Sequence, residues 1–165
     1  IPYKNKSMRY IGIDIDFEIL QVGKKSYPDM EVVCGNVESL PFKSGSFDNI
    51  ISVFNLEHIV NLDVCISELK RVLKSGGILA VTVPTEGAIF RLGRRLTSGR
   101  YAVKEMDFET IKEYDEYIYS QHINKVEAII QALTKHFRIK KKIWFPFKYG
   151  GKLININLGI KAIPL

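Results

Sequence analysis

Three polar residues stand directly after a short apolar run in the first half of the chain. The run covers residues 49–54, contains three β-branched residues and has neither proline nor glycine, and it is followed by Asn55, Glu57 and His58. Such a run is typical of a strand that is buried on both faces in the middle of a parallel sheet. In open α/β sheets, ligands bind beyond the carboxyl ends of the strands. We therefore expect a central strand here, with a functional site where it ends.

A second group of polar residues follows the first predicted strand. The pattern of residues 10–15 predicts a strand, and Asp14 and Asp16 lie at its end. A carboxylate only accepts hydrogen bonds, so the Asp14 side chain is suited to bind two neighbouring hydroxyl groups at once. Asp16 is placed to cap a helix over residues 17–25, because its side chain can accept from a free backbone N–H.

The order of the remaining patterns predicts an α/β fold. Strands are predicted over residues 30–34, 78–83, 137–147 and 153–163, and helices over residues 62–74 and 125–136. Gly76 and Gly77 are expected to end the first of these helices, because glycine permits positive φ. A strand, a helix and a strand joined by short connections predict a parallel crossover. The last two runs are joined by a glycine-containing turn, which makes the final strand antiparallel to its neighbour.

Residues 85–124 have a different character. They are rich in arginine and tyrosine and show no strand pattern. We expect helices that lie over the sheet as a substrate cap. The length of 165 residues favours one domain, so this segment is predicted to be an insertion within a single domain over residues 1–165.

The chain carries a formal net charge of +6, with basic residues concentrated in residues 91–104 and 138–142. Basic patches can bind nucleic acid or anionic lipid, but no arginine and aromatic recognition motif accompanies these, so no nucleic-acid partner is expected. No apolar run approaches the ~20 residues that span a bilayer, and no signal-peptide pattern opens the chain. A cytoplasmic location follows, in which Cys34 and Cys65 are expected to be reduced and buried.

Four short motifs, in a fixed order, carry a resemblance to a known family. They are GIDI at 12–15, GNVESLPF at 35–42, SFDNIISVFNLEH at 46–58 and ELKRVLKSGG at 68–77. With these motifs the chain resembles the class I S-adenosylmethionine-dependent methyltransferases, particularly the type 11 group. The resemblance implies a Rossmann-like fold, with a mostly parallel sheet, helices on both faces and an antiparallel C-terminal strand.

The same resemblance implies S-adenosylmethionine as the cofactor. Asp14 matches the acid that accepts hydrogen bonds from the ribose hydroxyls, and Ile15 would pack on the adenine face. Asn36 stands where the family usually has aspartate to hold the adenine amino group, and the alternative is a plain turn residue after Gly35. Val37 would present its backbone N–H to the adenine ring.

Phe54 and Asn55 match positions that line the methionine portion of the cofactor. His58 would be a helix-start residue near the substrate, with a role as catalytic base as the alternative. His122 matches a His-Ile/Val-Asn element of some relatives, where it would line the substrate pocket or make a structural hydrogen bond. Some methyltransferases with a related Glu-His element bind a metal through a further acid three residues before the glutamate. That position is Phe54 here, so no metal is expected at Glu57 and His58.

The family's first strand and its glycine-rich loop have no counterpart before residue 10. In the family, that strand lies between the strand that ends at Asp14 and the strand over residues 49–54. Without it, the edges of both neighbours would be unpaired, which favours aggregation. Three explanations are open: the sequence is part of a longer protein, a second chain supplies the strand in a dimer, or the chain is a degenerate relative.

The predicted activity is methyl transfer to a small or amphiphilic acceptor, with catalysis by positioning of the two reactants. Arg94 and Arg95, in a basic amphipathic segment, are candidate acceptor-binding residues, and residues 90–104 are a candidate contact with a membrane surface. A non-catalytic methyltransferase-like module and a nucleic-acid-binding protein are the alternatives. A nicotinamide-dependent oxidoreductase is disfavoured because no Gly-x-Gly-x-x-Gly motif precedes the first strand.

Overall fold

The strands fall into two separate sheets. The computed structural model describes residues 8–85, 103 and 106–165. In the smaller sheet, β1 (Ile11–Asp14) pairs in parallel with β2 (Glu31–Cys34). The larger sheet has the order β3-β4-β6-β5. Its strands are β3 (Phe47–Val53), β4 (Leu73–Pro84), β5 (Phe137–Phe145) and β6 (Asn157–Pro164).

The pairing directions confirm the predicted mixed topology. Strand β3 is parallel to β4, whereas β6 is antiparallel to both β4 and β5. Within the described ranges, no strand joins β1 to β3. This is the position where the family places its first strand, so the described residues contain the predicted gap in the sheet.

Helices connect the strands. They are α1 (Phe17–Ser26), α2 (Leu62–Val72), α3 (Ile111–Gln121), α4 (Val126–His136) and the short α5 (Gly151–Ile154). A 3₁₀ turn, Leu56–His58, follows β3. Helices α2 and α4 bury their apolar sides in one core with alternate residues of β4 and β6. The buried members include Ile66, Leu69, Ile129, Leu133, Leu79, Val81, Leu158 and Ile160.

Helix α1 begins as the sequence predicts. The Asp16 side chain accepts hydrogen bonds from the backbone N–H groups of Glu18 and Ile19, at 2.8 and 3.2 Å. These bonds satisfy donors that the first turn of a helix leaves without an intrahelical partner. The cap fixes the point at which the chain turns away from β1, and thereby the position of Asp14.

The prediction that the central strand is buried on both faces is wrong. Ile51 and Val53 are 72% and 54% exposed, whereas Ile50 packs against the core. Strand β3 lies at the edge of its sheet, with β4 as its only neighbour among the described residues. One face of the strand packs against the core through Ile50, and the face that carries Ile51 and Val53 is in contact with solvent.

The predicted end of the helix over residues 62–74 is also wrong. Helix α2 ends at Val72, and Leu73 already belongs to β4, where it pairs with Phe47. Gly76 has the expected positive φ, 77°, but it lies within the strand, where the register with β3 shifts. The side chain of Leu73 is only 4% exposed, which is why it fits the apolar pattern of the helix. Its backbone is nevertheless extended, as in a strand.

The second of the two C-terminal β-runs is shorter than predicted. Strand β6 begins at Asn157, and Leu153 lies in α5, where it is 65% exposed. The buried side chain of Asn155 holds the connection from β5: its Nδ2 donates to the carbonyl oxygens of Tyr149 and Gly151, at 3.1 and 2.8 Å. Its Oδ1 accepts from the Phe147 N–H at 2.6 Å. A single side chain therefore fixes the backbone of this loop.

The two cysteines have different surroundings, which corrects one prediction. Cys65 is completely buried, as expected, but Cys34 is exposed. Burial raises the pKa of the Cys65 thiol to about 12. At pH 8 this thiol stays protonated, and the thiolate is the reactive form.

We expect a thiol reagent such as iodoacetamide at pH 8 to modify Cys34 in the folded chain and to leave Cys65 unmodified. Mass spectrometry of peptides after brief labelling measures the two sites separately. Labelling in denaturant is the control, because both thiols should then react. Equal labelling of both cysteines in the folded chain would contradict the burial of Cys65.

The proposed cap lies partly outside the described residues. Helix α3 falls within residues 85–124 and agrees with their helical character, whereas residues 86–102, 104 and 105 are not described. Arg94 and Arg95 are among the latter, so their predicted role stays a prediction. No described helix combines the length and apolar character needed to cross a membrane.

Candidate functional site

Asp14 ends β1 with its carboxylate in a fixed orientation. One oxygen, Oδ1, accepts a hydrogen bond from the Asp16 N–H at 2.9 Å, and the Asp14 backbone carbonyl accepts from the Gly35 N–H at 2.9 Å. A carboxylate offers about four lone-pair positions, so this side chain retains acceptor capacity for ligand hydroxyl groups. The next residue, Ile15, is 72% exposed and presents an apolar surface beside it.

Asn36 follows β2 and forms a local turn. Its Oδ1 accepts from the Glu38 N–H at 2.8 Å, and its backbone carbonyl accepts from the Ser39 N–H at 3.0 Å. These bonds are those of the plain turn residue that the sequence left open as the alternative. An amide oxygen has a second lone pair, so contact with adenine stays a prediction. Val37 is partly buried and packs against the core.

Glu38 ties this turn to the residues that follow β3. Its two carboxylate oxygens accept from the backbone N–H and the side-chain amide of Asn61, at 3.0 and 2.7 Å. The hydrogen bonds from Asn61 hold the pKa of the Glu38 carboxyl below its usual value. The carboxylate form, which accepts both bonds, is therefore favoured at neutral pH.

Glu68 and Arg71 of α2 hold the next part of the same loop. Glu68 accepts from the Leu40 N–H at 2.8 Å, and Arg71 donates to the carbonyl oxygens of Leu40 and Phe42 at 2.9 and 2.7 Å. Arg71 also pairs with Glu68 through two hydrogen bonds of 2.6 and 2.8 Å. The hydrogen bond from Arg71 lowers the pKa of Glu68. The loop after β2 is therefore anchored to the helix that follows β3.

Phe54 marks the end of β3 with an unusual backbone conformation. Its φ is +49°, in the left-handed region, and its side chain is 45% exposed. Its N–H donates to the Thr82 carbonyl at 2.9 Å, which holds it against β4. A bulky residue in this region costs about 1–3 kcal/mol, and such residues cluster at functional sites. Asn55, which is exposed, then starts the 3₁₀ turn without a capping hydrogen bond from its side chain.

Glu57, His58 and His122 form a cluster beyond the end of β3. The two imidazole rings are 5.0 Å apart between centroids and inclined by 64°. Nδ1 of His58 is 2.8 Å from the Gln121 carbonyl oxygen. Because a carbonyl only accepts, this contact requires the proton on Nδ1 and leaves the lone pair on Nε2, which is 3.9 Å from Oε1 of Glu57. The sequence proposed His58 and His122 separately, and the fold brings them together.

Asn124 is a residue whose role the sequence analysis missed. Its side-chain amide donates to the carbonyl oxygens of Leu56 and Ile59, at 3.0 and 2.6 Å, and its N–H donates to the Glu57 carbonyl at 3.0 Å. It therefore fixes the turn that carries Glu57 and His58 to the segment that carries His122. The His-Ile-Asn element was the available signal, but only its histidine was assigned a role.

A shallow groove between α2 and α4 is separate from the candidate site residues described above. It is lined by residues that include Val60, Asp63 and Lys135, and none of the predicted cofactor-binding residues borders it. The predicted cofactor residues instead lie at or just after the ends of β1, β2 and β3. This agrees with the general position of ligands in open α/β sheets.

Known proteins resemble both the sequence and the fold of this chain. Residues 2–81 match a family model described as a methyltransferase domain. A demethylmenaquinone methyltransferase of Streptomyces avermitilis is 32% identical over 81 residues, which are 49% of this chain and 35% of that protein. An uncharacterized protein of Methanocaldococcus jannaschii is 41% identical over 73 residues, 44% of this chain and 29% of that protein. The chain thus spans about a third of the length of the curated relatives it matches.

Solved methyltransferase structures share the fold. A TehB-like S-adenosylmethionine-dependent methyltransferase of Corynebacterium glutamicum has a TM-score of 0.64 at 12% identity, covering 95% of this chain and 68% of that one. The N-methyltransferase NodS of Bradyrhizobium japonicum, solved with S-adenosyl-l-homocysteine, has a TM-score of 0.60 at 14% identity, covering 94% and 66%.

The topology and the placement of polar residues at the strand ends therefore define a Rossmann-like methyltransferase fold. Over residues 2–81, the chain is similar to the type 11 group of S-adenosylmethionine-dependent methyltransferases.

Proposed function

We propose that the chain takes part in methyl transfer from S-adenosylmethionine to a small or amphiphilic acceptor. The observation that carries this proposal is the Asp14 carboxylate, held at the end of β1 with acceptor capacity to spare. The exposed apolar side chain of Ile15 lies next to it. A carboxylate beside an apolar surface suits a ribose attached to a planar base, so these residues fit an adenosine group.

The chain's own residues act in this reaction by binding and orientation. S-adenosylmethionine supplies an electrophilic methyl group on a sulfonium sulfur. Asp14 would orient the ribose, Ile15 and Val37 would border the adenine, and Phe54 and Asn55 would line the methionine portion. Orienting two reactants in this way can supply about 7–11 kcal/mol of a barrier, so the reaction needs no covalent intermediate on the chain.

The acceptor is proposed to bind on the side of His58 and His122. Arg94 and Arg95 would add positive charge there. The name of the Streptomyces avermitilis relative, a demethylmenaquinone methyltransferase, supports a quinone-like acceptor. We also propose a cytoplasmic location, contact of residues 90–104 with a membrane surface, and a dimer if a second chain completes the sheet.

The gap in the sheet supports a second candidate function. Strands β1 and β3 are not joined by any strand within residues 8–85 and 106–165, and Ile51 and Val53 are exposed on β3. Exposed edges and apolar side chains bind partner strands. In this alternative, the chain is a methyltransferase-like module that binds a partner protein and has no affinity for the cofactor.

Thermal unfolding with and without S-adenosylhomocysteine distinguishes the two candidates. A ligand present at a hundred times its Kd stabilises the folded state by about 2.7 kcal/mol. For a domain of this size, the expected rise in Tm is roughly 5–11 °C. Adenosine monophosphate, which lacks the homocysteine portion, is the control ligand. A cooperative transition with no shift at saturating S-adenosylhomocysteine would favour the partner-binding module.

A further inference from the structure

Three side chains that commonly ligate metals converge beyond the end of β3. Glu57, His58 and His122 each offer a ligand atom, and these atoms all lie within 4.8 Å of one another. One carboxylate and two imidazoles form the donor set of several catalytic zinc sites and of non-haem iron sites. We propose that these residues bind a divalent transition-metal ion, for which Zn²⁺ is the experimental probe.

The hydrogen bonding of His58 prepares it to ligate an ion. Its Nδ1–H donates to the Gln121 carbonyl at 2.8 Å, which leaves the lone pair on Nε2, 3.9 Å from Oε1 of Glu57. Metal-ligating histidines almost always donate their other ring N–H to a carbonyl, a carboxylate or water. The Gln121 carbonyl is therefore the hydrogen-bond acceptor that a metal-ligating His58 requires on its other ring nitrogen.

The distance between His58 and Glu57 fits two ligands of one ion better than a direct hydrogen bond. Nε2 and Oε1 are 3.9 Å apart, beyond the ~3.2 Å limit of a hydrogen bond between nitrogen and oxygen. Two bonds of about 2.0–2.2 Å that meet at the tetrahedral angle place their ligand atoms roughly 3.4 Å apart. The three ligand atoms all lie within 4.8 Å of one another, so side-chain movements of about 1 Å bring them to this separation.

The charge and the support of the cluster also favour a cation. Glu57 is 2% exposed, and a carboxylate removed from water is stabilised by a neighbouring positive charge. Asn124 connects the two segments, through its N–H to the Glu57 carbonyl and its side-chain amide to Leu56 and Ile59. The three ligands are therefore held on backbone segments that are fixed to each other.

This proposal reverses the expectation that no metal binds here. That expectation depended on Phe54, which occupies the position where an additional acid would ligate. The fold supplies His122 as a third ligand from a distant part of the sequence. Three protein ligands leave at least one coordination position open, and an oxygen or nitrogen of the methyl acceptor could occupy it. This role in holding the acceptor rests on the proposed methyl transfer, whereas ion binding does not.

Nuclear magnetic resonance of the histidine rings tests the site in the unaltered chain. The chain has three histidines, and His136, on α4, lies outside the cluster and is the internal control. On titration with Zn²⁺, we expect the ring nitrogen resonances of His58 and His122 to shift together and saturate at one equivalent. Those of His136 should stay in place. Shifts confined to His136, or equal shifts of all three rings, would overturn the proposal.

Calorimetric titration of variants with Zn²⁺ tests the same site. We expect Glu57→Gln, which keeps the size of the buried side chain, and His122→Ala to weaken Zn²⁺ binding at least tenfold. His136→Ala should bind as the unaltered chain does. Thermal unfolding without metal identifies any variant that fails to fold. For such a variant, the ring resonances of the unaltered chain decide whether the ion binds at this site. Equal Zn²⁺ affinity of folded Glu57→Gln would also overturn the site.

The two proposals fail in different ways. S-adenosylhomocysteine binding is measured with a chelator present, and Zn²⁺ binding is measured without the cofactor product. A chain that binds S-adenosylhomocysteine but shows no shifts at His58 and His122 rejects the metal site and leaves methyl transfer standing. A chain that shows those shifts but does not bind S-adenosylhomocysteine rejects methyl transfer and the acceptor-holding role, and leaves the ion site.

Discussion

Asp14→Asn is expected to weaken the binding of S-adenosylhomocysteine by roughly ten- to a hundredfold. Hydrogen bonds to a charged group contribute about 1.5–3 kcal/mol, and about 1.4 kcal/mol corresponds to a tenfold change in Kd. The asparagine keeps the shape of the side chain and one acceptor oxygen, but it loses the charge and the second acceptor. Calorimetric titration of the folded variant measures the change in Kd.

Asp48→Asn is the matched control for this prediction. Asp48 is exposed and pairs with Lys74 at 2.8 Å, far from the predicted ribose site in sequence and on a different sheet. Exposed ion pairs contribute little to stability, so this variant should fold and bind as the unaltered chain does. If Asp14→Asn bound S-adenosylhomocysteine with unchanged affinity, Asp14 would not hold the ribose.

Asn155→Ala is expected to lower the free energy of unfolding by about 2–3 kcal/mol, because the substitution removes partners from three backbone groups near a buried position. The corresponding fall in Tm is roughly 4–12 °C for a domain of this size. The loop over residues 146–151 should also exchange its amide protons faster, since the Phe147 N–H loses its acceptor. Thermal unfolding and hydrogen exchange measure the two effects.

Asn49→Ala is the control variant for Asn155→Ala. Asn49 is an exposed residue of β3, and surface substitutions usually change the free energy of unfolding by less than about 0.5 kcal/mol. A fall in Tm of the same size in both variants would mean that the loss of an asparagine side chain, rather than the hydrogen bonds of Asn155, causes the effect.

The sequence predicts the regular elements well because their signals are local. Asp16 caps α1 in the manner that its position before Phe17 indicates, and α4 begins within one residue of the predicted start. The errors occur where tertiary pairing overrides a local pattern. Leu73 continues the apolar period of α2, but its pairing with Phe47 makes it part of a strand.

Burial of β3 could not be predicted from its composition. A run of β-branched residues indicates a strand with apolar neighbours, but it does not reveal which neighbours are present. Ile51 is exposed because no element of the described part of the chain covers the face of β3 that carries it, whereas Ile50 on the opposite face packs against the core.

The candidate site was predictable in its strand-end parts and not in its long-range contacts. Asp14 and Phe54 can be placed because Asp14 is the last residue of β1 and Phe54 directly follows β3. The approach of His122 to His58 depends on how the segment between α3 and α4 returns to the 3₁₀ turn, through the bonds that Asn124 makes. Sequence spacing carries no information about that return.

The position of β6 constrains how the protein can be made. Although β6 is the sixth strand in chain order, it lies between β4 and β5 and pairs with both along most of its length. When a ribosome has released residues only as far as β5, the place between these two strands is still empty. The larger sheet therefore cannot close around its core until residues 157–164 have left the exit tunnel. Until then the apolar sides of β4 and α4 are available to chaperones, and the larger sheet is incomplete.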